Sequence, residues 1–196
     1  DYAMLSRYSI QSTSDQEDYR YYATIAANAP LAVTMEQAAV WSYPKSGAGE
    51  EETIFNMVNA ILLRIHQSGH LAEITDAQKG LVKEALDYYK TIREDIRQAY
   101  PYWPIGTSSY SDAWSALALD AGKKHYVAVW RREGNDRITL PLSRLAGKEV
   151  KVRCAYPQNR SVIFGWNAAE NSLSVRMEEK VCARLFEIEI IEDTQC

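Results

Sequence analysis

Two aspartates three residues apart, Asp15 and Asp18 in "STSDQEDYRYY", stand where a short β-prone run gives way to an aromatic, helix-forming stretch. A carboxyl group at such a junction has two uses. It can stabilise the helix start. Ser14 and Glu17 have capping-box spacing, which would leave Asp15, Glu17 and Asp18 in the first turn, where the helix dipole favours a carboxylate by ~0.3–1 kcal/mol each. It can also be a proton carrier, because parallel barrels place reacting groups where a strand meets the following helix. The two uses make opposite demands. A helix dipole lowers a carboxyl pKa, whereas a general acid at neutral pH needs it raised, by burial or by a second carboxylate. Two carboxyls ~5–5.5 Å apart are the retaining-glycosidase arrangement. Glu36 after "LAVTM" and Glu73 in "GHLAEI" are the carboxylates nearest other expected strands, and neither has a motif around it. The local residues leave both uses open.

Other residues carry weaker chemical signals. Trp41 and Tyr43, read here as part of the loop after the second β run, can stack on a sugar face or cover a core edge. His66 and His70 have the four-residue spacing of a helical zinc site. Gly69 breaks that helix and no Glu follows His66, so the pair reads as a helix end and a strand entry, with no metal expected. Three cysteines, Cys154, Cys182 and Cys196, are too few and too scattered for a disulfide framework. Alternation puts Cys154 on the face of Val150 and Val152, as a small buried hydrophobe. Asn159 opens an Asn-Arg-Ser sequon, a weak sign of export.

The elements that must position these residues change character near residue 100. Before it, "QEDYRYYATIAANA", "TIFNMVNAILLRI" and "TDAQKGLVKEALDYYKTIREDI" have helical periods, the last with a Thr75–Gln78 capping box. Short β-prone runs precede them, "LAVTM" and "SGHLAEI" among them. Strand–helix alternation with short connections predicts parallel βαβ units. Three such units cannot close an eight-stranded barrel and would leave an apolar edge. "AYPYWPIG" is the hinge. After it come six β runs, "HYVAVWRR", "RITLPL", "EVKVRCAY", "SVIFGW", "NSLSVRM" and "KVCARLFEIEII", separated by turn residues. That spacing predicts an antiparallel sandwich. The expected organisation is therefore α/β: residues 1–97 as the C-terminal part of a (β/α)8 barrel, and residues 98–196 as an antiparallel β domain.

Composition narrows the function classes. Of 196 residues 46% are hydrophobic and 24% charged, with a net charge of −4 and both signs interspersed. No basic block suggests nucleic acid or an anionic membrane, and no apolar run approaches a membrane span. The chain opens at Asp1 without a targeting pattern, so a processed piece or fragment is expected and its compartment stays open.

"DYAMLSRYSIQSTSDQEDYRYYATIAANAPLAVTMEQAAVWSYP", followed by "FNMVNAILLRIHQSGHLAEI", resembles the C-terminal part of glycoside hydrolase family 36, the α-galactosidases or melibiases. The resemblance implies a Ser-Asp-x-x-Asp motif at the end of the sixth barrel strand, matched by Ser14, Asp15 and Asp18, with Asp15 as general acid/base. It implies a glycine-rich segment ahead of the acid, of which Asp1 resembles the last residue. It matches Gly69 to a glycine before the eighth strand. Asp1, Asp18 and Trp41 become substrate-binding candidates, with helix capping still open for Asp18. The family nucleophile lies in a Lys-x-Asp motif that this chain does not carry in the right place. The implied activity is hydrolysis of terminal α-galactosides of the melibiose, raffinose or galactomannan type, without metal or organic cofactor. The implied partner is the remainder of the chain's own barrel, and homo-oligomerisation of the full-length enzyme is left open. Alternatives are a non-catalytic carbohydrate-binding or scaffold piece, and a galactosyltransferase of the raffinose or stachyose synthase type. Gln-Ser-Thr before Ser14 departs from the family's frequent aromatic there.

Overall fold

A computed structural model describes residues 2–191, so Asp1 and Cys196 lie outside the described residues. The chain is mixed α/β. After a short helix α1 (Tyr2–Leu5), three parallel strands alternate with helices: β1 (Gln11–Ser12), α2 (Tyr19–Asn28), β2 (Ala38–Ser42), α3 (Glu50–Ile61), β3 (Arg64–Gln67) and α4 (Asp76–Gln98). These strands form a parallel sheet in the order β1-β2-β3. Eight further strands follow: β4 (Tyr100–Tyr102), β5 (Trp114–Asp120), β6 (Lys124–Arg131), β7 (Arg137–Pro141), β8 (Val150–Tyr156), β9 (Ile163–Asn167), β10 (Ser172–Arg176) and β11 (Cys182–Ile190). They make two antiparallel sheets, β4-β5-β6-β11-β8 and β7-β10-β9.

Alternation along the central strands explains how these sheets stack. Tyr126, Ala128 and Trp130 of β6, with Leu117 and Leu119 of β5, share one hydrophobic cluster with α2, α3 and α4. Val127 and Val129, with Ala116 and Ala118, share a second cluster with Leu140, Leu173 and Val175 of the small sheet. The five-stranded sheet is thus covered on both faces. Helix α3 lies between it and the parallel sheet, and residues Thr53–Ile61 are buried all round, as its apolar composition predicts. The Thr75–Gln78 capping box is present at the start of α4.

All six predicted β runs beyond residue 120 form strands, and the structure adds two. Strand β4 contains Pro101, which β4 tolerates because it is an edge strand. Strand β5, "WSALALD", is buried on both faces and so lacks the alternation that marks a half-exposed strand. Three expectations in the first half are corrected. "LAVTM" is no strand: a single 3-10 turn, Ala29–Leu31, holds Pro30 at its centre, and the strand begins at Ala38. "SGHLAEI" is a turn, and its strand is the preceding Arg64–Gln67. Trp41 therefore lies in β2 and not in a loop, and Gly69 follows its strand instead of preceding it. A Cβ on Gly69 would meet the Pro44 carbonyl at 2.0 Å, so the close approach of two loops requires glycine here.

Candidate functional site

The C-terminal ends of the three parallel strands converge at Thr13, Trp41–Tyr43 and Gln67–Ser68. Strand β1 is only two residues long. Beyond it the Thr13 N–H and hydroxyl both donate to the Ala39 carbonyl, at 3.1 and 2.9 Å. The chain then turns away through three successive side-chain-to-backbone bonds. Gln16 N donates to Ser14 Oγ at 3.0 Å, Asp18 N to Gln16 Oε1 at 2.9 Å, and Arg20 N to Asp18 Oδ1 at 2.9 Å. Each bond satisfies an amide that neither strand nor helix can serve.

This staircase corrects the expected helix start. Helix α2 begins at Tyr19 with Asp18 as its N-cap, and the Ser14–Glu17 capping box does not form. Both oxygens of Asp18 are engaged by Arg20, from Nε at 3.0 Å and Nη2 at 2.5 Å. That hydrogen-bonded guanidinium holds the Asp18 carboxyl below its ordinary range. Asp15 and Glu17 occupy the alternate positions of the staircase, and both are exposed. Among the described residues, no hydrogen bond or ion pair engages the Asp15 carboxylate.

Tyr22, on the second turn of α2, reaches back into this rim and is 1% exposed. Its hydroxyl lies 2.9 Å from Thr13 Oγ1, donates to the Ser14 carbonyl at 3.1 Å and accepts the Trp41 N–H at 3.1 Å. Burial raises the Tyr22 pKa, the Thr13 and Trp41 bonds oppose that, and the charge of Asp15 adds to it. Tyr43 is raised first by burial, then by Tyr22, Asp15 and Glu17. The Tyr22 and Tyr43 hydroxyls both feel the Asp15 charge.

Trp41 is held at both ends. Its indole Nε1–H donates to Ser12 Oγ at 2.9 Å, and its ring meets His66 edge-on, with centroids 5.0 Å apart. Register puts Ser12, Ala39 and Arg64 on one face of the parallel sheet, with Trp41 and His66 following on that face. The opposite face, through Ala38 and Val40, joins the helical core. Burial and then Arg64 lower the His66 pKa. The loop after β2 is fastened from below. Tyr43 N donates to Asn56 Oδ1, and Gln78 Nε2 donates to the Lys45 and Ala48 carbonyls.

Asp15 and Asp18 follow the C-terminal end of β1, and Trp41 lies near that of β2. Tyr22 is not among the residues that the sequence singled out. Its signal was the four-residue step from Asp18, one helical turn back toward the strand end. His66 and His70 do not converge, and among the described residues no cluster of His, Cys, Asp or Glu is placed to hold a metal. Cys154 and Cys182 are free thiols, and burial pushes their pKa values up to about 11 and about 12. Among the described residues, no helix is long and apolar enough to cross a membrane.

No protein-family model matches the chain, and no curated protein matches it. Solved structures do. The family 36 α-galactosidase AgaA of Geobacillus stearothermophilus, in complex with raffinose, aligns with a TM-score of 0.70 at 14% identity, over 91% of this chain and 25% of that one. AgaB from the same organism aligns with a TM-score of 0.68 at 15% identity, over 91% and 25%. The α-galactosidase of Lactobacillus brevis gives 0.69 at 12% identity, over 93% and 26%. The chain spans about a quarter of the length of these enzymes, and at such identities the likeness is one of fold.

Proposed function

We propose that the chain is part of a retaining α-galactosidase, with Asp15 as its general acid/base and the nucleophile supplied by sequence outside these 196 residues. The observation that carries this reading is the division of labour between two aspartates. Asp18 caps α2 and is bound by Arg20. Asp15 stands ahead of that helix, exposed, with its carboxylate unengaged among the described residues. The stabilising role that would account for a carboxylate here is filled by its neighbour. What is left is a carboxyl at the C-terminal end of a parallel strand, where (β/α)8 enzymes keep their reacting groups. The fold likeness to α-galactosidases, and the capture of AgaA with raffinose and with stachyose, support an α-galactoside as substrate.

In this reading residues 1–97 supply the last part of the barrel and residues 98–196 its C-terminal β domain. Strand β1 is an edge strand among the described residues. Beside it Leu5, Ile25, Ala29 and Val33 line an open groove of about 690 Å³. The preceding barrel units would cover both. Asp15 first protonates the departing oxygen while the nucleophile attacks the anomeric carbon. It then takes a proton from water as the galactosyl intermediate is released with its configuration retained. Trp41 offers a ring to the sugar, and Asp1 and Asp18 are the further candidates for substrate contact. A contact through Asp18 would include Arg20. The two-carboxylate mechanism uses no metal or organic cofactor.

The test is the protein that carries this chain together with the sequence preceding it. Asp15→Asn should lower turnover of galactosyl disaccharides by about 100-fold or more, and that of dinitrophenyl galactosides far less, because a good leaving group needs no proton. Equal activity of variant and parent on both substrates would remove Asp15 from the mechanism. The 196-residue chain alone should be inactive, and turnover by it would refute a nucleophile outside it.

A further inference from the structure

We infer that Tyr22 is the positioning residue of this site: its hydroxyl fixes the loop that carries Asp15 against the backbone of Trp41. The inference rests on the proposed role of Asp15 and adds a residue that the acid/base motif does not contain.

The argument begins with the ladder between β1 and β2. Gln11 N donates to the Gln37 carbonyl and Thr13 N to the Ala39 carbonyl, two residues further along each strand. In a parallel ladder the next bond would run from Trp41 N to the Thr13 carbonyl. The chain has already turned toward α2 by then. The Tyr22 hydroxyl takes the missing place and accepts from Trp41 N at 3.1 Å. Thr13 Oγ1 spends its own proton on the Ala39 carbonyl. The Tyr22 proton is therefore directed at the Ser14 carbonyl and Thr13 Oγ1, at 3.1 and 2.9 Å. One oxygen thus joins the residue immediately before Asp15 to the backbone of the residue that presents the indole.

Two features make this a setting of geometry as well as a packing contact. Tyr22 is 1% exposed, so water cannot replace the hydroxyl without rebuilding the core around it. The loop it ties has few other anchors. Between Thr13 and the start of α2, the remaining bonds among the described residues are the local Ser14, Gln16 and Asp18 steps, which shape the loop without attaching it to β2. Removing the hydroxyl leaves Asp15 on a self-contained turn, free to shift relative to Trp41. A proton donor displaced by about 1 Å can lose about 100-fold in rate.

The experiment uses the protein carrying this chain with its preceding sequence, as the parent enzyme, Tyr22→Phe and Asp15→Asn. On a galactosyl disaccharide, whose leaving group needs protonation, Tyr22→Phe should lose about 10- to 100-fold in kcat. On a dinitrophenyl galactoside it should lose less than about 3-fold, and the steeper leaving-group dependence should parallel that of Asp15→Asn. Equal losses on both substrates would make Tyr22 a structural residue and overturn the inference, as would no loss on either. Should Tyr22→Phe fail to fold, Thr13→Val removes one partner of the same hydroxyl and must show the same selective loss; a uniform loss again overturns it. A parent without α-galactosidase activity, or an Asp15→Asn without selective loss, would instead sink the acid/base role itself.

Discussion

Asp15 and Asp18 show how little residue type says about role. Both are aspartates at a strand-to-helix junction, yet one is held by a backbone amide and a guanidinium while the other meets solvent. The difference is measurable at the residue scale. Asp18→Ala should cost about 1 kcal/mol of stability near neutral pH, the usual worth of an N-cap side chain. The ion pair adds little, since the Arg20 side chain is 50% exposed. Arg20 lowers the folded-state pKa of Asp18 below 3.8. The ionised cap is therefore worth most above that unfolded value, and its contribution fades as pH falls through the lower folded value. Urea unfolding of parent and variant should show a gap near about pH 6 that narrows by about pH 3. A gap independent of pH would mean that the carboxylate's charge plays no part.

At the scale of elements, two glutamates, Glu187 buried and Glu51 partly buried, tie the helices to the five-stranded sheet. Glu51, in the first turn of α3, forms a two-pronged pair with Arg184 of β11 at 2.8 and 2.9 Å. Those side chains are 14% and 5% exposed. Glu187 of β11 accepts from the buried Tyr88 hydroxyl of α4 at 2.6 Å and pairs with Lys124 and Arg153. These two cations are 38% and 45% exposed. Deleting either glutamate breaks a buried network, but the stranded partners differ. Arg184 has nowhere to rehydrate, so Glu51→Ala should cost about 3–5 kcal/mol. Lys124 and Arg153 can turn into water and only the Tyr88 hydroxyl is orphaned, so Glu187→Ala should cost about 1–3 kcal/mol. Urea midpoints at a common slope check the order, and a larger loss for Glu187→Ala would show that network charge outweighs burial.

For the whole molecule, the five-stranded sheet is the shared wall of two hydrophobic clusters. Neighbouring residues of β11 face opposite ways: Leu185 packs with the helices and Phe186 with the small sheet. Neither cluster can lose its wall without exposing the other. Leu185→Ala and Phe186→Ala should therefore each lower one common unfolding transition, by about 2–5 and about 3–5 kcal/mol. Coincident melting by far-UV circular dichroism and by tryptophan fluorescence is the expected result. Two separated transitions, each sensitive to one variant, would mean that helices and sandwich unfold independently. The change in element type near residue 98 is accordingly no gap in the core, since the first cluster runs from Tyr22 to Leu185.

What the amino-acid sequence determined by itself was local. Helical periods located α3 and α4, the Thr75–Gln78 box set the start of α4, and period-two alternation with turn residues marked six strands of the β domain. Those signals arise from neighbours within one element, and each was legible because one face met water or one cap closed on itself. Where both faces are buried the alternation vanishes, which hid β5 and moved β2 onto the wrong apolar run. Long-range contact alone decided the rest. Nothing in "STSDQED" says that Asp18 would take the helix and leave Asp15 to solvent, nor that the Tyr22 oxygen would complete a ladder with Trp41, 19 residues away. The strand ends come from three segments whose sheet packs on the buried helix α3, so the rim is a property of packing that no single segment contains.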